Sequence, residues 1–292
     1  MNCSAFKQVD VFTSERYKGN ALAVILDADG LAEADMQRIA AWTNLSETTF
    51  VLTPSAPGAD YRVRIFTPRS ELPFAGHPSV GTAHALIEAG RIAASDHLIQ
   101  ECAAGLLPVR VVGEGSQRRV FVRAPRAQLH PPSESITAAV TRALSRPPGG
   151  SHPPRIVNNG PDWLVCDLGD EAAVRGLKPD MTALDRLSAE TSSIGITVFG
   201  RAQGKDYQLV VRAFAPADGV PEDPVTGSAN AAIGAYLLAS GQLETIGTNY
   251  RVSQGREIGR DGYVDVCVGA HSGDVEIGGS SVTSIDGMLA LP

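Results

Sequence analysis

The chain of 292 residues has little that would tie it to a metal, a membrane or a nucleic acid. Its four cysteines, Cys3, Cys102, Cys166 and Cys267, are scattered, and no two share the close spacing of a metal-ligand or redox pair. Reduced, buried thiols are the expected state. No apolar run is long enough to span a bilayer; the longest candidates, around Ala231–Ala239, are short and amphipathic. The first residues, Met1–Asp10, carry Lys7 and Asp10 and no apolar signal core, so a cytoplasmic location is expected. Basic residues are also in deficit, 25 against 32 acidic, for a formal charge of −7. That balance argues against nucleic acid as a partner and against an anionic membrane surface.

What is present is globular. Hydrophobic residues make up 43% and charged residues 20% of the chain, and the length suits two domains of ordinary size. Residues rich in β-branched and aromatic side chains predict strands over Phe6–Thr13, Asn20–Leu26, Thr48–Leu52 and Tyr61–Phe66. Helical spacing covers Glu33–Trp42, and a second helix is predicted over Ser79–Ala89, stopped by Gly90. Further strands are read at His97–Cys102, Leu107–Val112 and Arg119–Val122. Ala124–Ser133 holds three prolines and no apolar period, which places a domain boundary there. The expected domains are residues 1–126 and 127–292, with the last strand packing back on the first. In the second half, helices are predicted at Ile136–Leu144 and Ser228–Ala239 and strands at Trp163–Leu168, Gly195–Phe199 and Leu209–Phe214. The Pro/Gly-rich segment Arg146–Pro154 reads as a mobile loop.

A weak internal repeat links the halves. Arg64-Ile-Phe-Thr-Pro68 matches Arg212-Ala-Phe-Ala-Pro216. Each ends a strand, each is followed by a loop with an acid and a proline, and each loop enters a helix through a glycine and a polar residue. These are Gly76-His77 and Gly227-Ser228. The pattern predicts duplicated domains facing one cleft. A helix start offers free backbone N–H groups and partial positive charge, and glycine lets a ligand come close. Two such starts would hold a carboxylate without Lys or Arg.

Pro78 predicts that His77 lies in a loop or cap. Asp223, in Val220-Pro-Glu-Asp-Pro-Val-Thr-Gly-Ser228, reads equally well as a functional carboxylate or a cap, and Ser228 as an N-cap. Glu47, in Asn44-Leu-Ser-Glu-Thr-Thr-Phe50, is placed between a helix end and an apolar strand. Partial burial there would suit an acid; a solvated turn residue is the plainer reading of spacing alone.

The chain resembles the PhzF-like phenazine-biosynthesis family over nearly its whole length. The resemblance rests on Val9-Asp-Val-Phe-Thr13 with Gly19-Asn20, Asn44-Leu-Ser-Glu-Thr48, Phe66-Thr-Pro68 with Glu71-Leu-Pro-Phe-Ala-Gly-His-Pro78, and Glu222-Asp-Pro-Val-Thr-Gly-Ser228. It implies an α+β, diaminopimelate-epimerase-like fold: two similar domains, each a curved mixed sheet around a central helix. It implies an isomerase that needs no metal or organic cofactor, of the trans-2,3-dihydro-3-hydroxyanthranilate isomerase type, acting on a small carboxylate and assembled as a homodimer. By matching positions, Glu47 is the general acid/base and His77 and Asp223 are its polar companions. Gly76, Gly227 and Ser228 bind substrate. Related epimerases use a cysteine from each domain; here Ala75-Gly76 and Thr226-Gly227 occupy those loops. The rival expectations are a cofactor-free amino- or hydroxy-acid racemase or epimerase with Asp223 as second acid, and a catalytically silent binding protein.

Overall fold

The computed structural model describes residues 3–292. The chain divides into two compact units, residues 3–123 with Gly278–Pro292, and Ala124–Ile277. In chain order the first part contains β1 (Cys3–Val11), β2 (Asn20–Ile25), α1 (Glu33–Thr43), β3 (Glu47–Leu52), β4 (Tyr61–Phe66), β5 (Glu71–Leu72), α2 (Gly76–Glu88), β6 (His97–Cys102), β7 (Gly105–Val112) and β8 (Arg119–Arg123). There follow β9 (Gln128–Leu129), α3 (Glu134–Leu144), β10 (Arg155–Asn158), β11 (Asp162–Asp170), α4 (Glu171–Arg175), α5 (Met181–Thr191), β12 (Gly195–Arg201), β13 (Leu209–Ala215) and β14 (Val220–Asp223). The rest is α6 (Gly227–Ala239), α7 (Leu243–Ile246), β15 (Asn249–Gln254), β16 (Gly262–Val268), β17 (Val275–Gly279) and β18 (Ser281–Ala290). β18 pairs antiparallel with β1 from Cys3↔Ala290 to Val11↔Ser281, which is why the C-terminal segment belongs to the first unit.

The two units repeat one plan. In the first, β2 runs parallel to β3, β3 antiparallel to β4, and β4 antiparallel to β5 but parallel to β6. In the second, β11, β12, β13, β14 and β15 pair in the same senses. Before β3 and β12 stand two helices of 11 residues, α1 and α5, each ended by a non-glycine residue in the left-handed region: Asn44 at φ 52 and Ser192 at φ 54. β5 and β14 each lead into a helix of 13 residues, α2 and α6.

Those two helices are the cores. α2 is buried from His77 to Ile87 and packs on β1, β2, β3, β8 and β18. α6 is buried at Gly227 and from Ala229 to Leu237 and packs on β10, β11, β12 and β16. A helix with an apolar surface all round must be wrapped by sheet, and small residues let strands approach it. The outer helices are one-sided. α1 buries Met36, Ile39 and Ala40 against Ile25, Phe50 and Phe66, and the last two rings meet edge-to-face with centroids 5.4 Å apart. Such a pair adds about 1 kcal/mol to the roughly 1.5–3 kcal/mol of burying each side chain. α3 and α5 cover the second unit through Val140, Leu144, Leu184 and Leu187, packed against Leu164, Val198 and Phe214.

Three expectations need correction. α2 begins at Gly76, so His77 is a buried helical residue and not a loop or cap. Proline is tolerated in a first turn because its missing N–H would have no intrahelical partner. The segment from Arg146 to Pro154 is tied down. Asp167 O accepts the N–H groups of Gly149 and Gly150 at 2.9 and 3.2 Å, and the Tyr236 hydroxyl donates to the carbonyls of His152 and Pro153. The four free thiols are not all buried: Cys102 and Cys166 are, Cys267 is half-buried and Cys3 is exposed. Burial pushes the Cys166 thiol up to about 12.

Candidate active site

In the first unit the structure brings Glu47 and His77 together. Glu47 is the first residue of β3, at the register of Leu22 on β2, and is half-buried; it is a strand residue and not a turn residue. His77 is the second residue of α2, and its Nδ1 lies 3.3 Å from Glu47 Oε2. Burial drives the imidazole down to about 3, opposed to a lesser extent by the backbone of Ala21. At neutral pH His77 is therefore the uncharged imidazole. A neutral ring places no positive charge beside Glu47; its own hydrogen bond is to the Ala21 backbone, so it packs against the carboxyl without the electrostatic grip of an imidazolium. Gly76 opens the helix. The N–H groups of Gly76 and His77 fall in the turn that has no intrahelical acceptors, and Pro78 contributes none.

In the second unit the structure brings Asp223, Gly227 and Ser228 to one helix start. Asp223 ends β14, where it pairs with Ala213 of β13. The N-cap of α6 is Thr226, so Ser228 is the second helical residue and not a cap. Its Oγ accepts the indole N–H of Trp163 at 3.0 Å, and its carbonyl accepts from Asn159 Nδ2 at 2.8 Å. With a donor already on its oxygen, the Ser228 hydroxyl is turned to donate its own proton, which suits an incoming carboxylate. Below it, Gln254 is 1% exposed and bonds the α6 start with both ends of its amide.

Each helix entry is braced by a buried or half-buried ion pair that sequence reasoning missed. Arg64 on β4 makes a two-point contact with Glu71 of β5 at 2.7 and 2.6 Å; Arg212 on β13 makes one with Glu222 of β14 at 2.8 and 2.8 Å. Each guanidinium also lies over the phenylalanine two positions on, Phe66 at 5.1 Å and Phe214 at 5.0 Å. The signal was there: both arginines open the repeated segments and a glutamate precedes each glycine-led helix. Trp163 and Asn159 left no comparable signal, because their partner, Ser228, is far away in sequence. Among the described residues no three of His, Cys, Asp and Glu gather as a metal-binding group, and no helix is long and apolar enough to cross a membrane.

The comparisons with known proteins agree on one family. The model for the phenazine biosynthesis-like protein family, PhzC-PhzF, matches residues 9–287. The chain is 40% identical to "Antisense-enhancing sequence 1" of Schizosaccharomyces pombe over 97% of both chains. It is 37% identical to the trans-2,3-dihydro-3-hydroxyanthranilate isomerase of Pseudomonas aeruginosa over 86% of each. The crystal structure of a PhzF-family protein of Bacillus anthracis matches it with a TM-score of 0.86 and 28% identity, covering 100% of both chains. The two-domain α+β fold is the epimerase-like one. The chain belongs to the PhzC-PhzF, phenazine biosynthesis-like family and is an isomerase.

Proposed function

We propose that this isomerase moves a proton on a small carboxylate metabolite without a cofactor, in the manner of trans-2,3-dihydro-3-hydroxyanthranilate isomerisation, with Glu47 as general acid/base. The observation that carries the reading is the half-buried Glu47 carboxyl 3.3 Å from a buried, neutral His77. A group that must first take a proton and then return it needs a neighbour that fixes its position without fixing its charge. His77 fills that role. The family resemblance assigns Asp223 to a polar group of the substrate and assigns Gly76, Gly227 and Ser228 to substrate binding, each at a helix start suited to a carboxylate. The family resemblance supports a homodimer; light scattering on the purified chain checks it.

The test is Glu47→Gln, which keeps shape and hydrogen bonding but ends proton transfer. Turnover of trans-2,3-dihydro-3-hydroxyanthranilate should fall at least about a hundredfold, the usual scale of general acid–base catalysis, while substrate affinity changes little. A variant within tenfold of wild type removes Glu47 from the mechanism.

A further inference from the structure

We propose that Thr226 is a positioning residue that fixes the Asp223 carboxylate for substrate, with Gln254 setting the direction of its hydroxyl; this rests on reading Asp223 as a substrate contact. The direction is forced by groups that have only one role. The Thr226 backbone N–H donates to Gln254 Oε1 at 3.1 Å, and Asn230 Nδ2 donates to the same oxygen at 3.0 Å. The other end of the amide is therefore Nε2. It donates to the Asp223 carbonyl at 3.2 Å and to Thr226 Oγ1 at 3.0 Å. Because Thr226 Oγ1 already accepts, its single proton goes to its remaining partner, Asp223 Oδ2, at 2.5 Å. Gln254 is 1% and Thr226 8% exposed, and Asp223 beside them is half-buried.

The hydroxyl has given up its ordinary work to do this. Thr226 is the N-cap of α6, yet its side chain makes no capping bond; Asp170 and Asp180 at the starts of α4 and α5 do cap their helices, and Ser133 at the start of α3, bonded to Ser135, does not. A threonine at an N-cap ordinarily accepts from the first turn. Here it donates away from the helix, to the carboxylate at the end of β14. Departures of this kind from local rules gather where function outweighs stability. The effect is to hold Asp223 in one orientation and as an acceptor. It is therefore set to receive a substrate hydroxyl or ammonium.

The experiment compares Thr226→Val, which keeps the branched shape and removes the hydroxyl, with Thr226→Ser, which keeps the hydroxyl. In the full chain with carboxyl-labelled aspartate, the Asp223 carboxyl is titrated by NMR. Thr226→Val should raise its midpoint by about one pH unit, and Thr226→Ser should leave it near wild type. The adjacent Glu222 and Arg212 are paired to each other and are untouched by either change. With trans-2,3-dihydro-3-hydroxyanthranilate, Thr226→Val should raise KM about tenfold with kcat changed much less, and Thr226→Ser should restore KM. A valine variant that titrates like wild type, or a serine variant that shifts as far as valine, overturns the proposal. An Asp223→Asn protein with unchanged KM overturns the substrate-contact reading beneath it. The titration needs no substrate and so separates the two failures.

Discussion

His77 Nδ1 stands 3.3 Å from Glu47 Oε2, a contact made between the second residue of α2 and the first residue of β3. Burial holds the histidine down at about 3, against an ordinary value near 6.5 in the unfolded chain. The folded state therefore refuses a proton that the unfolded state accepts below about pH 6.5. Stability contributed by neutral His77 is complete above that pH and is lost progressively as pH falls towards 3. His77→Gln removes this term. Its unfolding free energy should depend less steeply on pH between 6 and 4, by about 1.4 kcal/mol per pH unit for one proton. Urea midpoints at several pH values measure it. Identical slopes in the two proteins would mean that His77 protonates freely in the fold.

The ion pairs beneath the two helix entries differ in burial, and that sets a second prediction. Arg212 and Glu222 are 5% and 7% exposed, whereas Arg64 and Glu71 are 22% and 29% exposed. Arg212 also donates to the Leu177 carbonyl at 2.6 Å, tying β13 to the segment after α4. Arg212→Ala leaves Glu222 charged and buried and should cost about 3–5 kcal/mol. Arg64→Ala leaves a carboxylate that water can reach and should cost clearly less. Chemical denaturation gives both. Arg212→Met with Glu222→Leu should recover much of the loss, because a packed apolar pair carries no desolvation penalty.

Much of this fold was legible in the sequence, for reasons visible in particular elements. β4 was read at Tyr61–Phe66 because Val63 and Ile65 alternate with Arg62 and Arg64, the signature of a strand with one buried face. α1 was read within a residue from the spacing of Met36, Ile39 and Ala40. α2 was begun too late, because Pro78 looks like a boundary when it is a first-turn residue. β5 and β14 are too short for any period, and α5 was missed although it copies α1 in length and ending. Its apolar stripe is Leu184 and Leu187, with Met181 and Ala183 half-buried beside it, and polar residues fill the rest. At the site, residue identity came from family motifs. The contacts among Trp163, Ser228, Thr226 and Gln254 came only from the fold, since hydrogen bonds across long separations leave no periodic trace.

The repeated plan bears on whether the reaction uses one acid or two. Glu47 opens β3 opposite Leu22; in the second unit Gly195 opens β12 opposite Trp163, at the same step of the plan. A Cβ on Gly195 would lie 2.0 Å from the Phe214 carbonyl oxygen, so no carboxylate can stand there without displacing β13. The second copy therefore has no counterpart of Glu47 at that step, and a two-acid racemase would have to take its second acid from Asp223. Under the function proposed above, with Asp223 held as an acceptor by Thr226, one carboxyl group, Glu47, both removes the proton and returns it. One carboxyl group doing both steps can carry the abstracted hydrogen across before water exchanges it. Substrate deuterated at the carbon that loses its proton, turned over in ordinary water and sampled at low conversion, should give product with part of the deuterium at the carbon that gains one. Mass spectrometry or proton NMR reads the fraction. Product carrying only solvent hydrogen under single-turnover conditions would mean that the abstracted hydrogen exchanges with water before one is returned, and the expectation of internal transfer by a single shielded carboxyl would fail.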